Sequence, residues 1–421
     1  MRSILVSGIF FSLLLVYGKK LGDAPYFVLL LSVSFILLVC LIKFSQGCSL
    51  GFKQNFSIKG FSLLDKYLSS TLIWLWVLIL FSWFIGVLVG IVNGVDSTLV
   101  FRNFFGMVVY IIFPVMLIVS PSVRSLIIII YLSGIVQMFY GLGNIYGLII
   151  NPESLYIELS ISELRSLYST GFIVIFPLFM VGAAYQFLPK RYFPDDHGQI
   201  VTRLSKSLFF TLLTLIALIV PAMSKGYILA TGILFFCVVF FSISYSIGVG
   251  RLHKNIIILF VFFMVLLYLM PSSFYENIIF SFSSQEVSNA VRNEQLGYLV
   301  SEFTILGNGL GSSLKSGYMR DGAGYGFELT YVNIVHKLGV FSIFLFLSYI
   351  ITLTVASIRI VRRVYVFESF FVLGLMGYLV VGAGNPLLLS PSAVVLHCVS
   401  MYILAKPFLR PLNTAVPIKH E

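Results

Sequence analysis

The chain has 421 residues, of which 59% are hydrophobic and only 10% are charged, and its formal net charge is +11. Repeated apolar runs of about 20 residues, together with a mean hydropathy of +1.02, predict a polytopic membrane protein. These runs are continuous, whereas the strands of a β-barrel alternate between apolar and polar residues, so the predicted fold class is all-α. The basic loops lack the aromatic pattern that stacks on bases, and we expect no nucleic-acid partner.

The apolar runs predict about twelve membrane spans within a single transmembrane domain, residues 1–421. No convincing signal-peptide cleavage site follows the first run, so that run is expected to be the first span. The runs on either side of residues 223–226 fit either two helices joined by a tight turn or one broken helix. In chain order the expected spans cover residues 3–18, 24–44, 71–92, 104–120, 124–150, 170–188, 207–222, 226–248, 255–270, 331–357, 367–384 and 390–406.

The basic residues indicate how these spans are oriented. Most of the 27 Lys and Arg residues fall in the loops on the side of the two termini, whereas the other side holds more acidic than basic residues. Loops rich in Lys and Arg stay in the cytoplasm, so both termini are predicted there. This orientation places the long polar segment 271–330 outside the cytoplasm. The four cysteines lack metal or disulfide spacing and are expected to be packing residues.

The segment 271–330 is the only long polar stretch, and apolar positions recur at helical spacing from Val287 to Phe303. This pattern predicts an amphipathic helix that lies on the membrane. Three glycines follow at alternate positions, Gly307, Gly309 and Gly311. They fit either a backbone nest that cradles a phosphate or a simple helix stop, because glycine permits positive φ in both.

Several ionisable residues on this outer side are candidates for chemistry. Lys225 lies in the short turn between two spans, where a cation either snorkels to head groups or serves a function, and we favour function. Arg292, Lys315 and Arg320 add positive charge nearby. Glu328 and His336 enter the tenth span about 80° apart on a helix, which makes them candidate general bases. The alternative for His336 is a hydrogen-bonded residue of the bundle.

Taken in order, these motifs resemble the O-antigen polymerase and ligase family of membrane glycosyltransferases. PAMSKGYILATGIL resembles the family's Ser-Arg-Gly element between two spans, with Lys225 where arginine is usual. VRNEQLGYLVSEFTILGNGLGSS places Arg292 upstream of a Gly-x-Gly-x-Gly run, and FELTYVNIVHKLGVFSIFLF enters the next span. In ligases the position of Glu328 is often His followed by Asn, so Glu-Leu favours a polymerase. The resemblance covers the C-terminal half closely and the N-terminal half by hydropathy.

The resemblance implies a GT-C-like fold and an inverting reaction without metal or cofactor at the periplasmic face of the bacterial inner membrane. An acceptor hydroxyl attacks a glycan carried on undecaprenyl diphosphate, and both donor and acceptor are lipid-linked in a polymerase. Membrane lipids and a protein that regulates chain length are further expected partners. The implied site comprises diphosphate-binding Lys225, Arg292 and Arg320, the substrate loop Gly307, Gly309 and Gly311, and the bases Glu328 and His336.

Other functions stay open at this point. A ligase would transfer the same glycan to the lipid A core. A twelve-span flippase or exporter of lipid-linked oligosaccharides is a rival of another class. Such transporters are usually built from repeated halves, and the two halves of this chain show no convincing repeat. A scaffold protein would leave Lys225, Arg292 and Glu328 unexplained.

Overall fold

The computed structural model describes residues 63–150, 172–188, 199–219, 225–246, 287–318, 327–385, 387–388 and 390–408, together with residues 258, 261, 264, 265 and 268. Within these ranges every regular element is a helix, which confirms the predicted all-α class. The expected spans 3–18 and 24–44 lie outside the described residues. Of the expected span 255–270, only five separate helical residues are described.

The helices are numbered here in chain order. They are α1 (Leu63–Val92), α2 (Ser97–Val108), α3 (Ile112–Val119), α4 (Val123–Ile150), α5 (Phe176–Phe187), α6 (Gln199–Lys206), α7 (Leu208–Ile219), α8 (Lys225–Ser246), α9 (Val287–Ser301), α10 (Thr330–Leu338), α11 (Ser342–Val361), α12 (Val366–Leu375), α13 (Tyr378–Gly382) and α14 (Pro391–Ala405). Short 3₁₀ turns join α2 to α3 and α10 to α11 and precede α5.

Within the described residues, five continuous helical stretches are long and apolar enough to cross a membrane, which supports a membrane protein. They cover Tyr67–Val92, Ser97–Val119, Val123–Gly143, Lys225–Ile243 and Thr330–Val361. A sixth crossing would come from α6 and α7, which are bent by 82° relative to each other. Of the expected span 207–222, the structure describes the 12-residue helix α7, and its bent partner α6 precedes that span.

The core of the bundle contains short, largely apolar helices that are buried on all sides. Every residue of α5 and every residue of α14 is buried. The longer helices surround them and expose large apolar side chains, such as Trp74 and Phe84 on α1 and Phe236 on α8. A helix that is hydrophobic all round is stable only in a protein core or in lipid, and this bundle contains helices of both environments.

Polar side chains inside the bundle tie its helices together. The ring of His397 on α14 is fully buried, with Nδ1 2.9 Å from the Tyr110 hydroxyl and Nε2 3.3 Å from Ser348 Oγ. At one end of the bundle, the buried Arg359 donates to the Leu404 carbonyl at 2.6 Å, and the Tyr402 hydroxyl donates to the Pro121 carbonyl at 2.8 Å. Buried polar groups of this kind are stable because they have hydrogen-bond partners.

Candidate functional site

The elements that carry the predicted site meet at the end of the bundle opposite Arg359 and Tyr402. The C-terminal end of α1, the start of α8, helix α9, the start of α10 and the segment after α13 all meet there. The polypeptide between α9 and residue 318 packs over this end, with the Leu310 N–H donating to the Gly86 carbonyl at 2.8 Å. Side chains from distant parts of the sequence are therefore brought to one surface.

The glycine run 307–311 is inserted between α1, α2 and α10. All three glycines have positive φ, between 77° and 86°. A Cβ on Gly309 would lie 2.2 Å from the Gly90 N, and one on Gly307 would lie 2.3 Å from the Lys337 carbonyl oxygen. No other residue type fits this backbone conformation and this contact distance together, so close packing requires glycine here.

The N–H groups of this run are already engaged within the protein. Asn308 N–H donates to the His336 carbonyl at 2.8 Å, and Gly309 N–H donates to the Lys337 carbonyl at 3.0 Å. Gly307 N–H donates to the Thr304 carbonyl, and Gly311 N–H donates to Asn103 Oδ1 at 3.2 Å. The geometry therefore favours a packing role for Gly307, Gly309 and Gly311 over a phosphate nest. The run does not itself end the preceding helix, because α9 already ends at Ser301.

Helix α9 confirms the helix predicted in the long polar segment. It covers Val287–Ser301, and its inner face places Arg292, Gln295 and Leu299 at successive turns. Gln295 and Leu299 are buried, whereas Leu296 and Val300 are exposed. The chain after α9 exposes further apolar side chains at Phe303, Ile305 and Leu306. One side of this element thus faces the protein, and the other exposes apolar side chains together with the polar Asn293 and Glu294.

Arg292 and Glu328 form an ion pair at this end of the bundle. The Arg292 Nε lies 2.8 Å from Glu328 Oε2, and the two side chains are 24% and 10% exposed. The Nε–H does not meet hydrogen-bond geometry, so the contact is an ion pair of two close charges. The remaining nitrogens of the guanidinium donate to neutral oxygens, Nη1 to Asn289 Oδ1 at 3.2 Å and Nη2 to the Gly384 carbonyl at 3.3 Å.

Glu328 stands just before the helix that it was predicted to share with His336. Helix α10 begins at Thr330, and Leu329 is its N-cap residue. The backbone N–H groups of Glu328 and Leu329 donate to Gln295 Oε1 at 3.0 and 3.3 Å. Glu328 therefore lies outside the helix, and its N–H donates to a distant side chain. The angle of 80° expected between Glu328 and His336 on one helix does not apply.

Lys225 approaches the same surface from another helix. It is the first residue of α8 and is partly buried. A Cβ on the next residue, Gly226, would lie 3.3 Å from Val381 Cα, and Val381 is three residues before Gly384, whose carbonyl contacts Arg292. Three residues span at most about 11 Å, so the start of α8 and Arg292 both contact the segment 381–384.

His336 and its neighbours lie beneath this surface. The His336 side chain is 1% exposed, and neither ring nitrogen has a hydrogen-bond partner among the described residues. Its ring meets the Phe327 ring edge-on, with the centroids 6.5 Å apart. Lys337 is also buried, and its Nζ donates to the Ser312 carbonyl at 3.1 Å. The structure thus separates His336 from the exposed part of the site, whereas Glu328 borders it.

An apolar groove lies along α10 and is lined from Tyr331, three residues after Glu328. Its volume is about 500 Å³, and its walls include Tyr331, Val335, Phe346, Tyr349 and Leu379. The Tyr331 hydroxyl donates to the Leu379 carbonyl at 2.7 Å, which fixes α10 against α13. The groove is therefore an apolar surface on the same helix, α10, whose start follows Glu328.

One predicted residue of the site, Arg320, lies outside the described residues. Within the described ranges, no three His, Cys, Asp or Glu side chains gather in a way that could hold a metal ion.

Sequence reasoning missed Gln295 and Asn333, which are both buried beside the predicted residues. The available signal was spacing, since Gln295 follows Arg292 by three positions and Asn333 precedes His336 by three.

The fold and this surface define the class of protein: an all-helical membrane protein with a charged site at one end of its bundle. Comparisons with protein-family models, with curated proteins and with solved structures found no match.

Proposed function

We propose that the protein is a membrane glycosyltransferase that polymerises oligosaccharide repeat units carried on polyprenyl diphosphate, as an O-antigen or surface-polysaccharide polymerase. The observation that carries this proposal is the ion pair of Arg292 and Glu328 at one end of the bundle, with Glu328 three residues before Tyr331, which lines an apolar groove. A lipid-linked sugar diphosphate needs these three features together: a cation, a base and a surface for hydrocarbon.

The reaction follows from these groups. A hydroxyl of the acceptor sugar attacks the anomeric carbon of the donor glycan, and the bond between that carbon and the diphosphate oxygen breaks. The hydroxyl proton passes to the Glu328 carboxylate, and the lipid diphosphate leaves with the bonding electron pair. Attack opposite the leaving group inverts the anomeric configuration. A positioned base of this kind contributes about 10²–10⁴-fold to the rate.

The cations stabilise the charge that develops on the leaving diphosphate. Among the described residues, the Nη atoms of Arg292 donate to neutral oxygens, which a diphosphate can replace with stronger, charge-assisted bonds. When the diphosphate attracts Arg292, the Glu328 carboxylate is released from its ion pair and can accept a proton. Lys225 adds a point charge from the positive end of the α8 helix dipole, and Arg320 is proposed as a third cation.

The groove lined by Tyr331 is the proposed binding site for the first isoprene units of the donor lipid. Its lining is almost wholly apolar, and it begins with Tyr331, three residues after Glu328. A diphosphate held by Arg292 would therefore have its hydrocarbon beside the groove, within the depth of the membrane. Burial of each methylene group contributes about 0.8 kcal/mol, so a short segment of the chain is enough to orient the donor.

The proposed orientation in the bacterial inner membrane places this surface in the periplasm and both termini in the cytoplasm, with about twelve spans. The distribution of charge at the two ends of the bundle supports it. The end opposite the site is rich in cations and includes Arg124, Arg203, Lys206, Arg359, Arg362, Arg363 and Lys406, whereas the site end mixes acidic and basic side chains. Cytoplasmic ends carry such an excess of Lys and Arg.

Deletion of the gene, followed by gel electrophoresis of the surface polysaccharide, tests this function. A polymerase predicts loss of the long ladder while one attached repeat unit remains. Loss of all attached repeats would contradict polymerisation and would favour a ligase, with the lipid A core as acceptor, or a flippase. An unchanged ladder would contradict all three functions.

A further inference from the structure

Gln295 is a fully buried polar side chain to which neither the sequence nor the proposed reaction gives a role. It lies one turn after Arg292 on α9, so its side chain projects from the same face of the helix. Its Oε1 accepts the backbone N–H of Glu328 at 3.0 Å and that of Leu329 at 3.3 Å. One rigid helix thus carries the partner of the Glu328 carboxylate and also holds the Glu328 backbone.

The amide nitrogen of Gln295 indicates which atom of this side chain is important for its role. Its Nε2 is buried and has no hydrogen-bond partner in the described part of the chain. A buried donor without a partner is unfavourable, and methionine or leucine would fill the same volume without one. The glutamine is therefore useful at this position because of its acceptor oxygen.

We infer that Gln295 is a positioning residue that fixes the Glu328 carboxylate relative to Arg292 and to the incoming hydroxyl. This inference rests on the proposed function. Glu328 precedes the first residue of α10, and its carbonyl accepts the Thr330 N–H at 2.8 Å. Its own N–H and that of Leu329 are held by Gln295 rather than by the helix. A shift of about 1 Å in a reacting group is enough to lower turnover about 100-fold.

A purely structural cap of α10 is the competing explanation, because the same two bonds also satisfy N–H groups at the start of that helix. The two roles differ in their consequences. Loss of a cap weakens the fold and every property that depends on it. Loss of positioning lowers turnover and leaves binding of the diphosphate to Arg292 and Lys225 intact.

The test uses the full-length protein with Gln295→Met, which is similar in shape but offers no acceptor oxygen. Glu294→Met is the matched control, because it creates the same side chain at the adjacent, exposed position of α9. Three quantities are measured: binding of farnesyl diphosphate to the purified protein in lipid nanodiscs, the melting temperature of that protein, and the amount of polymer made in a strain that lacks the chromosomal gene.

We expect Gln295→Met to bind farnesyl diphosphate within about threefold of the wild type while its polymer falls about 100-fold, and we expect the control to be unchanged in both. The double variant Gln295→Met/Glu328→Gln should make no less polymer than Glu328→Gln alone, because residues that act as a unit are not additive. Wild-type polymer from Gln295→Met would overturn the inference, and so would a parallel loss of binding, melting temperature and polymer. Failure of the proposed function would look different: the wild type would bind no farnesyl diphosphate, and its deletion would leave the polymer intact.

Discussion

At the scale of single residues, Arg292 is where three separate parts of the chain meet. Its guanidinium contacts its own helix at Asn289, the segment after α13 at Gly384 and the Glu328 carboxylate. A planar fork of donors suits this arrangement, since each nitrogen points in a fixed direction. The same fork can bind two oxygens of a diphosphate, which a lysine ammonium binds only as a point charge.

Replacement of Arg292 separates the effect of charge from that of geometry. We expect Arg292→Ala to abolish polymer and Arg292→Lys to retain only a small fraction, about 1–10%, because lysine keeps the charge and loses the bidentate contact. The measurement is the surface-polysaccharide ladder in the deletion strain, with the amount of protein in the membrane checked by immunoblot. Arg102→Ala is the control, because Arg102 is an exposed cation at the same end of the bundle. Wild-type ladders from Arg292→Ala would contradict the assignment of Arg292 to the site.

At the scale of elements, short sequence patterns predicted the local backbone structure. The apolar spacing from Val287 identified α9, and the alternate glycines identified a backbone that needs positive φ. The pattern could not show that the Glu328 backbone bonds to Gln295, because these residues are 33 positions apart and neither forms a recognisable motif. For the same reason, the sequence did not reveal that the glycine run packs against Gly86 and Gly90 of α1.

The packing role of the glycine run is tested by two alanine substitutions that differ only in their surroundings. Gly309 and Gly317 both have positive φ, 86° and 75°, but only Gly309 meets α1, while nothing lies within 4 Å of a Cβ at Gly317. We expect Gly317→Ala to destabilise the protein by about 1 kcal/mol through its backbone conformation. Gly309→Ala should be destabilised by a further amount of about 1–3 kcal/mol through overpacking against α1. Thermal unfolding of the purified proteins measures both, and equal melting temperatures would contradict the packing role.

At the scale of the whole molecule, hydropathy predicted a membrane protein but could not show which helices are buried in protein and which expose apolar side chains. The runs that became α5 and α14 are strongly apolar, like those that became α1 and α8, yet the first two are buried on all sides. Lipid and protein interior are both apolar, so composition does not distinguish them. The bend of 82° between α6 and α7 was likewise invisible to a window of average hydropathy.

The proposed orientation is open to a direct test with single cysteines. Ser313 and Arg362 are exposed at opposite ends of the bundle. In a version of the protein whose four native cysteines are replaced by serine, we expect a membrane-impermeant maleimide to label Ser313→Cys in intact spheroplasts and to label Arg362→Cys only after lysis. This result follows if the cation-rich end is cytoplasmic. The reverse labelling pattern would contradict a periplasmic site.

The central claim is that Glu328 is the base at a glycosyl-transfer site, and Glu328→Gln tests it most directly. This change keeps the size of the side chain and the Gln295 bonds to the backbone but removes the carboxylate that accepts the proton. In the deletion strain, with equal amounts of protein in the membrane, we expect polymer to fall by about 10²–10⁴-fold, leaving a single attached repeat unit. Glu294→Gln, an exposed acid on α9, should restore the full ladder. A full ladder from Glu328→Gln would contradict the account.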